Sequence, residues 1–407
     1  MLQVVEKKMK SILIVSHALE IGGAERALLA MLESFDYSQY SVELFLLRHS
    51  GDLLNLIPPQ VKVLPEKKPY TALGVPLVSI LKKGMLRVAV GRVVAKLRAK
   101  YYCKRHHIQG ENAVELEYSH KCTVKGMPII SEKEYDLVIS FLTPHYFAAE
   151  KTHAKTKIAW IHTDYSFVNV DVESEKKMWD RYDHIVSISN DCTKGFISKF
   201  PELVSKIVLI ENSIVPALLQ KQAALIDVTQ EMPEFEGINL LSVGRFSYAK
   251  NFDNIPDLCS RILKQGVQVR WYLIGYGSDE ALIREKIREA GMQNHVVILG
   301  KKSNPYPYMA ACDVYVQPSR YEGRCVAVQE AQALGKPVII AAYPTCASQL
   351  QDGVDGVIVP QDNEACAASI VDVLKHPQIL KRLMQNCAER EYTSVQPLET
   401  LYSMMKG

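Results

Sequence analysis

Short hydrophobic runs alternate with amphipathic stretches along almost the whole chain. The runs are rich in Val, Ile and Leu, and each is followed by sequence in which apolar positions recur at helical spacing. Near-continuous apolar runs are typical of parallel strands that are covered on both faces. The pattern therefore predicts a doubly wound α/β architecture, formed twice along the chain. The predicted strands are SILIVS, SVELFLL, DLVISFL, KIAWIH, HIVSIS and KIVLIEN, followed by INLLSVG, VRWYLIG, HVVILG, VYVQPS and KPVIIAA.

The pattern is weakest between residues 213 and 237, SIVPALLQKQAALIDVTQEMPEFEG, and we place the crossing between two domains there. We expect an N-terminal domain over residues 1–214 and a second domain over residues 215–385. Residues 386–407 are expected to form a C-terminal helix that packs back toward the N-terminal domain. A length of 407 residues agrees with two domains better than with one hydrophobic core.

Composition and charge narrow the class of protein. Hydrophobic residues make up 48% of the chain and charged residues 23%, which is ordinary for a globular protein. The formal net charge of +3 argues against a strongly basic nucleic-acid binder. The nine cysteines stand singly, so we expect reduced thiols and no disulfide framework. The apolar run SILIVS is shorter than the core of a signal peptide, and no stretch approaches the roughly eighteen apolar residues that span a bilayer.

Residues 76–110 depart from this average, because they contain no aspartate or glutamate. Leu, Val and Tyr residues lie between the cations of the segment. Such a segment suits an anionic membrane surface, where basic side chains meet lipid headgroups. A solvated pair of helices is the alternative, and the sequence leaves both interpretations open. The basic residues of the segment are Lys82, Lys83, Arg87, Arg92, Lys96, Arg98, Lys100, Lys104 and Arg105.

Two turns that follow predicted strands carry residues suited to phosphate. HALEIGGAER places Gly22 and Gly23 directly after the first strand, where the backbone can approach a ligand closely. This is not the G-x-G-x-x-G dinucleotide motif, so NAD is not implied. LLSVGRFSYAKNF places Arg245 and Lys250 in a turn and at the start of the next helix, where two cations suit a diphosphate. A tight turn and ordinary surface charges are the alternatives for each motif taken alone.

Three further polar residues lie beside predicted strands or within apolar sequence. His162 in AWIHTDYS follows a strand end, where doubly wound sheets place ligands, although a single histidine is more often structural. Glu322 and Glu330 in RYEGRCVAVQEAQALGKPVI stand before and within a helix predicted over residues 326–334. A buried carboxylate needs hydrogen-bond donors, and a ribose or sugar diol supplies two. No H-E-x-x-H, Walker A or G-x-S-x-G motif and no convincing D-x-D site is present, so no metal site is predicted.

In their order along the chain, these motifs resemble those of the retaining glycosyltransferases of family 4. The specific motif is E-x7-E, from Glu322 to Glu330, followed by AQALGKPVI and accompanied by GGAER, VGRFSYAKN and LGKKSNPYPYMAACDVYVQPS. The similarity covers nearly the whole chain, is strongest over residues 239–360 and is weak over residues 52–130. The resemblance implies the GT-B fold, in which two Rossmann-like doubly wound domains face each other across a cleft. The N-terminal domain is then expected to bind the acceptor, and the C-terminal domain the nucleotide sugar.

The resemblance also implies roles at the reacting bond. Arg245 and Lys250 match the pair that binds the donor diphosphate and stabilises it as it leaves. Gly22-Gly23 match the loop that faces the donor phosphate. Glu322 matches the glutamate at the reacting sugar, and His162 is similar to the N-domain histidine close to the reaction centre, so both are expected to be catalytic.

Other residues match the parts of the family that hold the nucleotide. Glu330 matches the glutamate that binds the ribose hydroxyls, and the backbone near Lys301 and Ser303 is expected to contact the base. Many members read E-G-F-G-L after the first glutamate, where this chain has Gly323, Arg324, Cys325 and Val326 after Glu322. Backbone contacts of residues 324–326 to the donor are still expected, but no sugar specificity follows from these side chains.

The resemblance thus predicts a retaining hexosyltransferase that moves a sugar from a nucleotide donor, expected to be UDP-linked, to a glycan or lipid-linked acceptor. Neither a cofactor nor a metal ion is expected, because two cations replace the metal at the diphosphate. A cytoplasmic location at the inner face of the plasma membrane is expected, with residues 76–110 on the anionic surface and no nucleic-acid partner. One rival is a catalytically silent sugar-nucleotide-binding or scaffolding subunit of the same fold. A sugar-nucleotide epimerase is the other.

Overall fold

A computed structural model describes residues 9–20, 22–108, 113–163, 165–211, 214–322, 325–390 and 396–405. The chain divides into two compact units, which are described separately. Unit 1 comprises residues 1–213 together with residues 395–407, and unit 2 comprises residues 214–394. Residues 386–394 therefore group with the second unit, and the end of the chain groups with the first.

Unit 1 is an alternation of strands and helices, as the hydrophobic pattern predicts. Its strands are β1 (Lys10–Ser16), β2 (Tyr40–Leu46), β3 (Lys62–Val63), β4 (Glu134–Ser140), β5 (His153–Ile161), β6 (His184–Ser187) and β7 (Ile207–Leu209). Its helices are α1 (Gly23–Ser34), α2 (Lys68–Thr71), α3 (Leu77–Lys82), α4 (Leu86–Arg105), α5 (Val114–Thr123), α6 (His145–Glu150), α7 (Val172–Trp179) and α8 (Asn190–Lys199), with α17 (Gln396–Ser403) at the end of the chain.

The strands of unit 1 form one sheet of seven parallel strands in the order β3-β2-β1-β4-β5-β6-β7. The strand order reverses between β1 and β4, and doubly wound sheets bind ligands beyond the carboxyl ends of the strands at such a reversal. Two hydrophobic clusters cover the sheet, and side chains of neighbouring strand positions alternate between them: Leu13 and Val15 belong to one, Ile12 and Ile14 to the other. The core therefore lies on both faces of the sheet.

Unit 2 repeats this architecture with a smaller sheet. Its strands are β8 (Ile238–Val243), β9 (Val269–Ile274), β10 (Val296–Gly300), β11 (Val314–Gln317), β12 (Val338–Ala341) and β13 (Val357–Val359). Its helices are α9 (Pro216–Ala223), α10 (Ile255–Lys264), α11 (Glu280–Glu289), α12 (Tyr306–Ala311), α13 (Val326–Ala333), α14 (Cys346–Gln349), α15 (Asn363–Lys375) and α16 (Pro377–Glu389). The six strands are parallel in the order β10-β9-β8-β11-β12-β13, so the reversal lies between β8 and β11.

The predicted α/β fold with two doubly wound domains is confirmed, and each strand predicted from a hydrophobic run is present. The pattern missed β3 and β13, because both are short strands at sheet edges with few buried positions. The helix predicted over residues 326–334 is α13. Within the described part of the chain, no helix combines the length and hydrophobicity that crossing a bilayer requires.

The last helix, α17, packs on the first unit. Leu401 is fully buried in the hydrophobic cluster that covers one face of the sheet. The Tyr402 ring stacks on Tyr40 with ring centroids 4.0 Å apart, and its hydroxyl accepts a hydrogen bond from the backbone N–H of Asp36 at 3.3 Å. These contacts fix the end of the chain beside the N-terminal strands.

Candidate active site

Three of the predicted residues of unit 2 lie at the strand reversal between β8 and β11. Arg245 and Lys250 lie in the loop that leaves β8, and Glu322 lies in the loop that leaves β11. Because β8 and β11 are hydrogen-bonded neighbours, their carboxyl ends bring these two loops together. The strand order therefore brings Lys250 and Glu322, which are more than seventy positions apart in sequence, into contact.

Lys250 and Glu322 form an ion pair. The Lys250 Nζ donates to Glu322 Oε1 at 2.5 Å, and the side chains are only 19% and 10% exposed. Burial lowers the pKa of Lys250, but the adjacent Cys325 sulfur and Glu322 carboxylate raise it by more, so the pKa lies above its ordinary value. The ammonium is therefore charged at neutral pH and already faces an anion.

Glu322 is held by hydroxyl and amide donors from β11 and its loop. The Ser319 hydroxyl donates to Glu322 Oε1 at 2.6 Å, and the Gln317 amide donates to the same oxygen at 3.4 Å and to Ser319 at 2.8 Å. The Tyr315 hydroxyl donates to the Gln317 side-chain oxygen at 2.7 Å. This chain of hydrogen bonds was not predicted, although a glutamine that ends an otherwise apolar buried strand is a signal for it.

A second ion pair ties the two loops together. Arg320 donates to both carboxylate oxygens of Asp253, at 2.9 and 2.8 Å, and such two-point contacts fix the relative orientation of their partners. The Arg320 guanidinium also lies over the Tyr248 ring, 4.2 Å from its centroid, and donates to the Tyr248 carbonyl at 2.7 Å. Arg320 therefore clamps the loop of Glu322 onto the loop of Lys250. No local signal predicts this pair, because in sequence neither residue departs from an ordinary surface charge.

The residue after Lys250 has a backbone conformation that few side chains adopt. Asn251 has φ +60°, in the left-handed region, and is buried. Its side-chain amide donates to the Pro318 carbonyl at 2.9 Å, which is a further bond between the two loops. Asparagine is among the residues best able to occupy this region, so the turn that aims Lys250 depends on it.

Glycines allow the close packing behind Lys250. A Cβ at Gly244 would lie 3.2 Å from Lys250 Cε, so the lysine stem runs directly over this glycine. A Cβ at Gly275 would overlap the Gly244 carbonyl, and one at Gly277 would overlap the Phe246 carbonyl. The glycines of LIGYGSDE therefore serve packing of the β9 turn against the β8 turn.

Arg245 differs from Lys250 in its surroundings. Its side chain is exposed and has no hydrogen-bond partner among the described residues. Its positive charge lowers the pKa of Lys250, although other contributions outweigh it, so the two cations lie near each other. The site thus presents one exposed cation and one paired cation at the same loop.

The start of α13 lies beside this pair. The backbone N–H of Cys325 donates to the Gln349 side-chain oxygen at 2.7 Å, and Gln349 donates back to the Cys325 carbonyl at 3.2 Å. Burial raises the pKa of the Cys325 thiol to about 12, so the thiol is neutral. Val326 is the first residue of the helix. Gly323 and Arg324, the latter predicted to contact the donor, lie outside the described residues.

Glu330 lies deeper in α13. It is 4% exposed, and the Tyr306 hydroxyl donates to its Oε1 at 2.6 Å. Lys301 and Ser303, predicted to lie near the base, precede Tyr306 in the turn between β10 and α12, and both are exposed. Tyr306 thus connects the turn of residues 301–303 with Glu330, a contact that sequence analysis did not predict.

Unit 1 carries the remaining predicted residues. Gly22 is the N-cap of α1 and has extended backbone, and Gly23 is the first helical residue. The Glu25 carboxylate from the first turn lies against Gly22, so an acidic side chain covers this helix N-terminus. Any phosphate at this loop would meet the Glu25 carboxylate as well as the backbone N–H groups.

His162 follows β5 and is one of several histidines near the carboxyl ends of the unit 1 strands. Its ring lies 4.4 Å from that of Phe141, and its buried Nε2 has no hydrogen-bond partner among the described residues. Burial lowers the pKa of His162, and likewise of His120 and His145, to about 3. These imidazoles are therefore neutral and able to donate or accept one hydrogen bond at each ring nitrogen. Of these three histidines, only His162 was predicted to be functional.

Together, the unit 2 residues can hold an anion between two cations beside a carboxylate that is itself held by fixed donors. Groups of three or more His, Cys, Asp or Glu side chains that could hold a metal ion are absent from the parts of the chain that the structure describes. Arg245 and Lys250 are both suited to contact phosphate oxygens.

Comparison with known structures identifies the fold. A crystal structure of Anabaena HepE in complex with UDP and glucose aligns with a TM-score of 0.66 at 17% identity, over 97% of this chain and 98% of that chain. The GT-B fold expected from the resemblance is thereby confirmed for this two-domain α/β chain.

Comparison with sequence families adds the class of protein. Residues 232–391 match the family described as glycosyl transferases group 1. The amylovoran biosynthesis glycosyltransferase AmsD of Erwinia amylovora is 27% identical over 146 residues, or 36% of this chain and 41% of AmsD. The N-acetylgalactosamine-N,N'-diacetylbacillosaminyl-diphospho-undecaprenol 4-alpha-N-acetylgalactosaminyltransferase of Campylobacter jejuni is 26% identical over 151 residues, or 37% of this chain and 40% of that enzyme. The chain thus spans less than half the length of these relatives. The resemblance is confirmed at the level of a group 1 glycosyltransferase domain.

Proposed function

We propose that the protein is a retaining glycosyltransferase of the family 4 type, which moves a sugar from a UDP-sugar to a glycan or lipid-linked acceptor. The observation that carries the proposal is the Lys250–Glu322 pair at the strand reversal of unit 2, with Arg245 beside it. The group 1 match covers all three residues. A nucleotide-linked donor fits this arrangement, because a diphosphate requires fixed positive charge and a reacting sugar requires an oriented carboxylate.

Arg245 and Lys250 bind the diphosphate and stabilise the negative charge that develops as the glycosidic bond breaks. Their charge replaces that of a metal ion, so the reaction proceeds without one. Lys250 begins in contact with Glu322, and arrival of the diphosphate gives its ammonium a second anion. Glu322 then faces the reacting sugar, held by the Ser319 and Gln317 donors.

Glu330 binds the ribose hydroxyls, and the backbone at Lys301 and Ser303 contacts the base. The Tyr306 hydroxyl orients Glu330 from the helix that follows this turn. The structure of Anabaena HepE with UDP and glucose supports uridine as the base of the donor, given the shared fold. The backbone of residues 324–326 completes the donor contacts.

Gly22, Gly23 and His162 are the contributions of unit 1. The glycine loop faces donor phosphate, and the Nε2 of His162, which has no hydrogen-bond partner among the described residues, binds a sugar hydroxyl. Because burial keeps His162 neutral, it acts as a hydrogen-bond partner and not as a cation.

The acceptor belongs to polysaccharide biosynthesis at the cytoplasmic face of the plasma membrane. Two relatives support this, since one acts in amylovoran biosynthesis and the name of the other contains a diphospho-undecaprenol acceptor. The basic segment of residues 76–110 brings the protein to the anionic membrane surface where such acceptors reside.

A donor screen tests the proposal. Purified protein is incubated with individual UDP-sugars and a crude lipid extract in EDTA, and released UDP is measured. We expect one donor to release UDP in an acceptor-dependent reaction, with an α-linked product from an α-linked donor by NMR. Binding of UDP-sugars without release by any combination would identify a silent subunit, and release only after Mg²⁺ or Mn²⁺ is restored would refute the metal-free mechanism.

A further inference from the structure

A groove of about 680 Å³ lies on the surface of unit 1, between α4 and the end of α5 with the turn that follows it. Four basic residues line it: Arg87 and Arg98 from α4, and Lys121 and Lys125 from α5 and the turn. Leu86, Val90, Gly91, Val94, Cys122 and Gly126 complete the lining, so no acidic side chain contributes among the residues that the structure describes. The groove therefore combines positive charge with an apolar floor.

The groove exists because α4 approaches α5 very closely. A Cβ at Gly91 would lie 2.8 Å from the Cys122 carbonyl oxygen, so only glycine permits this contact. Ala95 and Ala99 continue the buried face of α4 toward Tyr118 of α5. With small residues at the contact, the larger side chains of α4 stand at the sides and on the opposite face.

The face of α4 that points away from α5 carries large apolar side chains in solvent, and two of them, Leu86 and Val90, also line the groove. Leu86, Val90, Leu97 and Tyr101 are 61–65% exposed, and Val93 is 44% exposed. Their spacing of three and four residues aligns them in one stripe along the helix. Exposed apolar stripes of this length mark surfaces that contact a partner or a membrane.

The cations beside this stripe are arranged by the same periodicity. The spacings between three arginines of α4 are close to whole numbers of helical turns, so these arginines lie along one side of the stripe, toward the groove. They are Arg87, Arg98 and Arg105. Arg87, Arg98 and Lys125 have no carboxylate partner among the described residues, whereas the Lys121 ammonium donates to the Ser174 hydroxyl. Three cations of the groove are thus available to an external anion.

Arg92 does not belong to this surface, although the sequence analysis counted it among the nine basic residues of the segment. Its guanidinium donates to the Ala72 carbonyl at 2.9 Å and to the Val75 carbonyl. Arg92 therefore holds the turn before α3 and is a structural residue.

We propose that the α4–α5 groove is a binding site for the phosphate headgroup of an anionic phospholipid, with the apolar stripe of α4 in the membrane interface. The inference deepens the membrane association proposed above and rests on it. Charge complementarity identifies the occupant, because three groove cations that have no carboxylate partner in the described part of the chain select an anion. The adjacent apolar stripe requires a nonpolar neighbour, which a bilayer supplies and a nucleic acid does not.

Vesicle cosedimentation tests the groove directly. The full chain is mixed with phosphatidylcholine vesicles that contain or lack phosphatidylglycerol, and bound protein is measured at low and high salt. We expect binding to require phosphatidylglycerol and to weaken with salt. The groove variant R87Q/R98Q/K125Q should lose binding about a hundredfold, since each cation contributes to attraction at an anionic surface.

A matched variant separates the groove from bulk charge. K62Q/K177Q/K194Q also removes three exposed lysines of unit 1, but these lysines pair with Glu43, Glu173 and Asp191. It should bind as the wild type does, and L97Q, at an exposed stripe position, should reduce binding without altering thermal stability. Equal losses in both triple variants, or no loss in the groove variant, would overturn the proposal.

The lipid result is independent of the chemistry. UDP release from a soluble donor without vesicles should be the same in the groove variant and the wild type. If no donor turns over, the glycosyltransferase proposal fails. The lipid-site proposal is then still decided by the vesicle binding of the groove and control variants. The lipid site is wrong if the wild-type protein does not bind anionic vesicles. It is also wrong if single-stranded DNA occupies the groove and thereby releases the protein from the vesicles.

Discussion

Replacing Glu322 by glutamine should strengthen the binding of UDP while slowing sugar transfer. In the free protein the Lys250 ammonium donates to Glu322 at 2.5 Å, with the glutamate side chain 10% exposed. A diphosphate that recruits Lys250 must compete with this carboxylate. Glutamine keeps the size of the side chain but removes its charge, so Lys250 is released to the nucleotide.

The structure sets the size of this effect. A charge-assisted hydrogen bond contributes about 1.5–3 kcal/mol. If the diphosphate recovers about 1.4 kcal/mol of it, UDP affinity rises about tenfold. Lys250 in the unliganded variant has lost its partner, so the free protein should also be less stable and UDP should raise its melting temperature more than in wild type.

Calorimetric titration with UDP measures the affinity, and thermal unfolding with and without UDP measures the linked stabilisation. The control is Glu280→Gln, which removes a carboxylate paired with Arg284 on a surface helix of the same unit and should leave UDP affinity unchanged. Weaker or unchanged UDP binding in Glu322→Gln would refute the idea that Lys250 is shared between Glu322 and the diphosphate.

Two further predictions concern the loops and the buried histidines. Arg320→Ala should lower kcat about tenfold or more while the thermal stability of the protein changes little, because the Arg320–Asp253 clamp positions Glu322 and Lys250 and is itself partly exposed. Lowering the pH from 7 to 5 should reduce the free energy of unfolding, because His120 and His145, with pKa values of about 3, remain neutral while the unfolded chain takes up protons below about pH 6.5. Each histidine then lowers the free energy of unfolding by about 2 kcal/mol at pH 5. Urea titrations at several pH values measure the total change in the free energy of unfolding.

Arg320→Lys, which keeps the charge but not the two-point contact, should recover only part of the Arg320 effect. Wild-type kcat in Arg320→Ala would show that the loops need no clamp. In the acid titration Glu175 acts in the opposite direction, since burial raises its pKa to about 8 and the folded protein already holds its proton. Glu175→Gln should therefore make the loss of stability on acidification steeper, and a free energy of unfolding that stays constant down to pH 5 in that variant would contradict the histidine account.

The hydrophobic pattern was sufficient for the fold because buried parallel strands are continuous apolar runs. β1 and β8 could be recognised from SILIVS and INLLSVG, and the turns after them from their glycines. The short edge strands escaped because β3 has only exposed positions, and exposure removes the pattern on which the prediction depends.

For the candidate site, the individual residues could be predicted from the sequence, but most of their contacts could not. Lys250, Glu322 and Glu330 were predicted from their places beside strands and within apolar sequence, and the resemblance supplied their roles. The pairing of Lys250 with Glu322, however, depends on the order of β8 and β11 in the sheet. Arg320 and Asp253 carry no local signal, since a bidentate pair forms only when two loops meet. The composition of residues 76–110 predicted a charged surface, yet only the packing of α4 separates cations that face outward from Arg92, which faces inward.

The most direct test of the central claim is the rate of UDP release from the preferred UDP-sugar and acceptor in Glu322→Ala and Lys250→Ala. Each variant should lose at least about a hundredfold in turnover, roughly the effect of one strong transition-state contact. Arg245→Ala, at an exposed side chain, provides a variant whose loss is not a folding defect, and Lys177→Ala, at an exposed lysine paired with Glu173 in the first unit, should retain the wild-type rate. Near-normal turnover in Glu322→Ala or Lys250→Ala, in protein that is folded by circular dichroism, would contradict the assignment of the site.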